Sequence, residues 1–435
     1  MTYVTIRTFL LAPRETKLPS TISRRSLLVS GAVVGASALL GQQPALAATS
    51  KSNAVTVTPI AEVLDGGEEI TALALSSPAL NNADRASLAA SAFGVHVIAT
   101  NPLTGAVAYE QDRVVTAATW ASRGTIRLEL EHGWGVAGGA TLQYMFAQGR
   151  NVVLDLDYTI TQSAPLSAEG TGQAITLRSF QQAATTNPEV DAFSRHATAS
   201  GLNYRLYSPA RASGPEGAAL VVWLHGGGEG GLLTEGYSYY DNETQLRGNR
   251  GALGFATPEA QELFGGAYVL APQSTSAWMR DGDGFAPMIR EAIAEVSAAH
   301  RIDASRIHVV GCSNGGFMSL KMVSEHPGLF ATSTPICCGI GARDGSNDFF
   351  ISDAELASMT TPTWLVAAAN DTTLDAQANT VYSHERIDGS IMSLYDDVTW
   401  EGTSYPGHWS WIYVARNDPR HNGTSIWQWM AQSKR

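Results

Sequence analysis

Cysteine is scarce. Only Cys312, Cys337 and Cys338 occur in 435 residues. That is too few for a disulfide scaffold, and the spacing is not that of a zinc site. All three fall near the ends of two apolar segments. A bridge from Cys312 to Cys337 or Cys338 and three buried small hydrophobes are both open readings. Basic residues are also in deficit: 28 Lys and Arg face 40 Asp and Glu, a net charge of −12. Five of the basic residues and one acid precede Ala48, leaving 23 against 39, a net of −16. So acidic a surface repels phosphate backbones, which argues against a nucleic-acid partner. Long apolar runs are missing as well. Leu27 to Leu40 has 14 residues and contains Ser and Gly, whereas a membrane span needs about 20 strongly apolar ones. No later stretch is long enough to span. What is present is 44% apolar and 16% charged residues, enough core for two or three globular domains.

The first 48 residues read as an address. Ser23-Arg24-Arg25-Ser26-Leu27-Leu28 resembles a twin-arginine export motif, and Ala45-Leu46-Ala47 fits a small-residue cleavage site. The usual Phe of that motif is missing, so ordinary secretion stays open. The expectation is a mature chain beginning near Ala48, outside the cytoplasm.

Residues 49–165 read as all-β. In Gly124–Glu131, Ile126, Leu128 and Leu130 share one face, with Arg127 and Glu129 on the other. Val152, Leu154, Leu156, Tyr158 and Ile160 alternate in the same way. About seven such strands predict a β-sandwich of immunoglobulin type. Residues 166–191, rich in Ala, Ser, Thr and Gln, read as a linker with at most one short strand. From residue 192 to 435 the grammar changes. Continuous apolar strands at Ala219–Leu224, Ala267–Ala271, Arg306–Val310 and Pro362–Ala369 alternate with helical segments. That predicts an α/β domain with a mostly parallel sheet covered on both faces.

Gly311-Cys312-Ser313-Asn314-Gly315 is the one Gly-x-Ser-x-Gly in the chain. It lies between a predicted strand and a predicted helix, the context of a nucleophile elbow. A serine hydroxyl needs a base, and the base needs an orienting acid. Past His326, which closes the predicted helix after Ser313, only His384, His408 and His421 remain. His384 falls on a predicted helix and His421 in a polar turn. His408, in Tyr405-Pro-Gly-His-Trp-Ser-Trp411, is on a loop with tryptophans able to exclude water, and is the first choice. For the acid, Asp371 just past the strand Pro362–Ala369 is preferred, then Asp375, then Asp396 or Asp397. An Asx turn is the competing role for Asp371. The oxyanion of an acyl-transfer intermediate needs N–H donors. Asn314 supplies one, and Gly227 or Gly228 in His225-Gly-Gly-Gly-Glu-Gly-Gly231 the other. No Lys-Ser/Thr follows those glycines, so they are not a P-loop. Trp278 and Trp409 are candidate pocket walls, with core packing as the alternative. No cofactor or metal is expected.

Residues 192–435 resemble the α/β-hydrolase superfamily, in particular secreted esterases related to polyhydroxybutyrate depolymerases and feruloyl esterases. The resemblance rests on Leu224–Gly231, Ala271-Pro-Gln273, Ile302-Asp303 with Arg306-Ile307, Gly311–Gly316 and Gly407-His-Trp-Ser-Trp411. Residues 54–160 resemble the immunoglobulin-like domain that precedes some of these esterases, notably at Ile60–Ile70. The resemblance implies Ser313, Asp371 and His408 as a triad and an ester, small or polymeric, as substrate. One departure is Ala368-Ala369, where the family has His-Gly before the acid. The competing readings are a prolyl-oligopeptidase-like serine peptidase, a polyester depolymerase and a non-catalytic binding protein.

Overall fold

A computed structural model of the chain describes residues 54–211, 216–233, 236–341 and 351–435. The predicted export segment, 1–48, lies outside the described residues.

Alternation of apolar side chains builds the N-terminal part. In Thr125–Leu130 every second residue is buried, and Val55–Leu64 buries Val55, Val57, Ala61 and Val63. Two sheets result. One runs in the order Phe180–Gln182, Val55–Leu64, Gly67–Ser76, Thr125–Leu130, Val115–Ser122. The other runs Val107–Arg113, Phe93–Thr100, Asp155–Gln162. Ile70, Leu73 and Leu128 of the first share one apolar core with Val95, Val97 and Ile160 of the second.

Three local expectations differ. Val152–Ile160 does not run as one strand. It divides at Leu154, and Arg150–Val153 pairs with Leu142–Met145 as a hairpin outside both sheets. The supposed linker is partly sheet, because Phe180–Gln182 lies parallel beside Val55–Val57. Val107–Arg113 is a strand without alternation, its one buried residue being Arg113.

The C-terminal part is organised on an eight-stranded sheet. Its order is Phe193–Ala197, Asn203–Tyr207, Ala267–Pro272, Ala218–Leu224, Ile302–Cys312, Thr332–Ile336, Trp364–Ala368, Ile391–Tyr395. The first two pairs in that order are antiparallel, and the remaining five are parallel. Ala218–Leu224, Thr332–Ile336 and Trp364–Ala368 are buried at every residue, because helices cover both faces. Leu220, Val222 and Leu224 pack with Ile289, Ile293 and Phe317 on one face. Val221 and Trp223 pack with Phe255, Phe264 and Trp427 on the other. Strand order reverses at Ala218–Leu224, whose neighbours are Ala267–Pro272 and Ile302–Cys312. Connections leaving such a switch point diverge and open a crevice at the strands' carboxyl ends.

The described residues form one unit. Arg416 grips Asp65 through two bonds of 2.9 and 3.0 Å. Arg250 does the same with Glu189 at 2.9 and 2.7 Å. Buried Glu68 accepts from Arg247 Nε at 2.5 Å, Asn187 Nδ2 at 2.6 Å and Thr141 Oγ1 at 2.5 Å.

Candidate active site

The glycine loop and the serine turn both leave strands at the switch point. Leu224 and Gly311 are register partners on adjacent strands, so the loops after both strands start side by side. The chain passes from strand to helix at Ser313, which has φ 54° and ψ −113°, and Asn314–Glu325 is helical from the next residue. A left-handed φ in a non-glycine residue is strained, and it turns the side chain out of the strand-to-helix bend. Gly315 makes the bend possible, since a Cβ there would overlap the carbonyl group of Leu224.

Asp371 follows the strand Trp364–Ala368, on the far side of Thr332–Ile336 from the serine strand. Its two oxygens divide the work. Oδ1 accepts from the N–H groups of Thr373 at 2.8 Å and Leu374 at 3.0 Å, which closes the Asx turn. Oδ2 accepts from Nδ1 of His408 at 2.7 Å. Burial works against the charged form of Asp371, but the His408 contact and the two N–H donors outweigh it and leave the carboxyl below its ordinary value. With Nδ1–H committed to Asp371, the lone pair of His408 is left on Nε2, the tautomer a general base requires. Gly407 brings the two loops together: a Cβ there would stand 2.6 Å from the Asn370 carbonyl oxygen. Asp371 and His408 are thus joined directly, whereas among the described residues no hydrogen bond links the Ser313 hydroxyl to His408. The other candidates lie elsewhere. Asp375 caps Ala378 N at 2.7 Å, His384 pairs with Ser390, and His421 pairs with Asn422. Asp396 and Asp397 are exposed.

The glycine loop forms a single turn over Gly227–Glu229. A Cβ on Gly227 would be 3.9 Å from that of Asn314, so this glycine faces the start of the elbow helix. The loop is braced from below by groups that sequence spacing alone does not single out. His225 is fully buried. Its Nε2 accepts from Ser274 N at 3.0 Å, so Nδ1–H donates to the Gly226 carbonyl at 2.6 Å. Burial pushes its pKa down to about 3, and it stays neutral. Glu229 turns its carboxyl inward, where burial pushes it up to about 7. Gln273 Nε2 donates to the Glu229 carbonyl at 3.0 Å, which explains the Ala-Pro-Gln stretch.

Trp278 belongs to this brace. It is fully buried, donates from Nε1 to the His225 carbonyl at 3.0 Å and packs on Phe285. It is not presented to a pocket, because that hydrogen bond holds the indole under the loop. Trp409 is partly exposed beside His408, and its ring meets Trp134 of the N-terminal part at 4.7 Å. A Cβ on Gly228 would be 3.0 Å from Asn151 Nδ2 and 3.4 Å from Tyr144 Cε2. The N-terminal part therefore touches both the histidine loop and the glycine loop. The three cysteines are free and buried, and a bridge between them is absent. The described residues hold no cluster of three or more His, Cys, Asp or Glu able to bind a metal. None of the described helices is long and apolar enough to cross a membrane.

The eight-stranded sheet with its helices on both faces has the α/β-hydrolase fold. No family model matches the chain. A solved structure described as a thermostable esterase superposes with a TM-score of 0.69 at 23% identity, covering 87% of this chain and 99% of that one. "Putative esterase NocK" of Nocardia uniformis subsp. tsuyamanensis is 31% identical over 129 residues, 29% of this chain and 35% of that protein. Poly(3-hydroxyalkanoate) depolymerase C of Paucimonas lemoignei is 29% identical over 150 residues, 32% of each. The chain spans about a third of the length of these curated relatives. Over these segments the chain is similar to an esterase and to a polyhydroxyalkanoate depolymerase, and its fold is that of the thermostable esterase.

Proposed function

We propose that this protein is a serine carboxylesterase acting through an acyl-enzyme on Ser313. The observation that carries the reading is the Asp371–His408 hydrogen bond of 2.7 Å, taken with a serine held at φ 54° in a strand-to-helix bend. In the proposed cycle Nε2 of His408 takes the Ser313 proton as Oγ attacks the ester carbonyl carbon. The oxyanion is held by the N–H of Asn314 and of Gly227 or Gly228, each donor being worth roughly 3–4 kcal/mol in the transition state. His408 then returns the proton to the departing alcohol. Water, deprotonated by the same nitrogen, attacks the acyl-enzyme, and the acid leaves as Ser313 regains its proton. Asp371 keeps the imidazole in the required tautomer and faces the imidazolium throughout.

A polyester depolymerase is the second reading, favoured by the likeness to the Paucimonas protein over 150 residues. In both readings residues 49–165 are an immunoglobulin-like accessory domain and residues 1–48 an export signal, with the mature chain outside the cytoplasm.

p-Nitrophenyl esters should be hydrolysed and peptide anilides should not. Ser313→Ala should lower kcat by about 10^5–10^6-fold. Retention of full hydrolysis by that variant would falsify the nucleophile assignment.

A further inference from the structure

The hairpin Leu142–Met145/Arg150–Val153 stands apart from both N-terminal sheets and ends at the glycine loop. Its second strand, Arg150–Val153, is fixed to the catalytic part. Val153 N donates to Tyr239 Oη at 3.0 Å, Arg150 Nε donates to the Gly231 carbonyl at 3.3 Å, and Val152 is buried with Leu232 and Tyr239. Its tip carries the opposite character. Phe146 is 88% exposed and Tyr144 45%, and their rings meet edge to face at 5.1 Å. Leu233, two residues past Gly231, is 45% exposed. Seven large apolar side chains are exposed among the described residues, and three of them are these. Apolar side chains scattered singly over a surface need no explanation, but aromatics displayed from a clamped hairpin do. Tyr144 also lies against Gly228, and neighbouring Gly227 faces Asn314. The aromatic tip is therefore one glycine removed from the proposed oxyanion site.

We propose that the Tyr144–Phe146 tip is a substrate-binding wall supplied by the N-terminal part. It takes the alkyl chain of an ester too long to be enclosed at Ser313. The proposal rests on the esterase reading of the site. Free fatty-acyl esters and segments of an aliphatic polyester share that chemistry. A rigid aromatic pair suits it, since it covers apolar length without demanding hydrogen bonds.

The test uses the full-length protein, Tyr144→Ala, Phe146→Ala, the double variant and Phe146→Leu. kcat/KM is measured on p-nitrophenyl acetate and decanoate, and turbidity clearing on an emulsified polyhydroxyalkanoate. The decanoate-to-acetate ratio should fall at least fivefold in the double variant and recover to within twofold of the parent in Phe146→Leu. Loss on decanoate alone assigns the wall to free acyl chains and loss on both substrates to their common chain, whereas loss on polyester alone, with the ratio unmoved, overturns it. Equal falls on acetate and decanoate, or a ratio within twofold of the parent, would overturn the proposal. A parent inactive on every ester sinks the esterase reading and the wall with it. An active parent with an unmoved ratio sinks the wall alone. Melting curves of all variants identify any that are misfolded, and Phe146→Leu then carries the comparison.

Discussion

Asp371 serves two structures with one carboxylate, and the two can be separated. Asp371→Asn keeps an oxygen for the Thr373 and Leu374 N–H groups but offers the imidazole an amide. An amide that donates to Nδ1 favours the tautomer with its proton on Nε2, where it cannot serve as base. kcat should fall about a thousand- to ten-thousandfold with little change in KM. A KM effect without a kcat effect would place Asp371 outside the relay. Gly407→Ala drives a Cβ toward the Asn370 carbonyl and must move the loop that carries His408. A displacement near 1 Å costs about a hundredfold in rate, which steady-state kinetics on a short ester would register.

Glu229 offers a pH test. Its carboxyl is raised by burial to about 7, with Arg150 and Asn249 working in the other direction. The unfolded chain releases that proton near ~4.3. The group therefore stabilises the fold fully below that value, and the contribution is lost as pH rises to about 7. Glu229→Gln removes the titration. Between about pH 4 and pH 7 the variant should lose ~3 kcal/mol less than the parent in urea unfolding. Parallel profiles would mean that the carboxylate is not desolvated. The cysteines allow a simpler check: denatured protein should titrate as three free thiols, and reductant should leave the melting temperature unmoved.

At the scale of elements, the glycine-flanked serine and its strand and helix were legible because a bend between two periodic segments is a local property. The same holds for Asp371 just past a buried strand and for His408 in a Pro-Gly loop. What escaped was non-local. Phe180–Gln182 is three residues in a polar stretch, and only its partner Val55–Val57 makes it a strand. Val107–Arg113 has exposed side chains in both registers, so no period betrays it. Trp278 differs from a pocket tryptophan only through its bond to the His225 carbonyl. The brace under the glycine loop joins His225 to Ser274, which are 49 positions apart, and spacing cannot reveal such a pair.

At the scale of the whole molecule, the two parts should melt together. Glu68 is buried at their junction and balances Arg247, whose side chain is 12% exposed. Glu68→Ala leaves that guanidinium without its buried partner and should cost about 3–5 kcal/mol. Both parts should still unfold in one transition, read by tryptophan fluorescence and by loss of ester hydrolysis. Two separated transitions would show that the junction is not cooperative.

The pairing of Asp65 with Arg416 bears on how the chain is made. The two residues are 351 positions apart, so the acidic one leaves the ribosome long before its partner exists. Until then Asp65 carries an uncompensated charge that keeps its part of the junction in water. Arg247 and Arg250 reach Glu68 and Glu189 first, and Arg416 closes the junction only after a further 166 residues have been made.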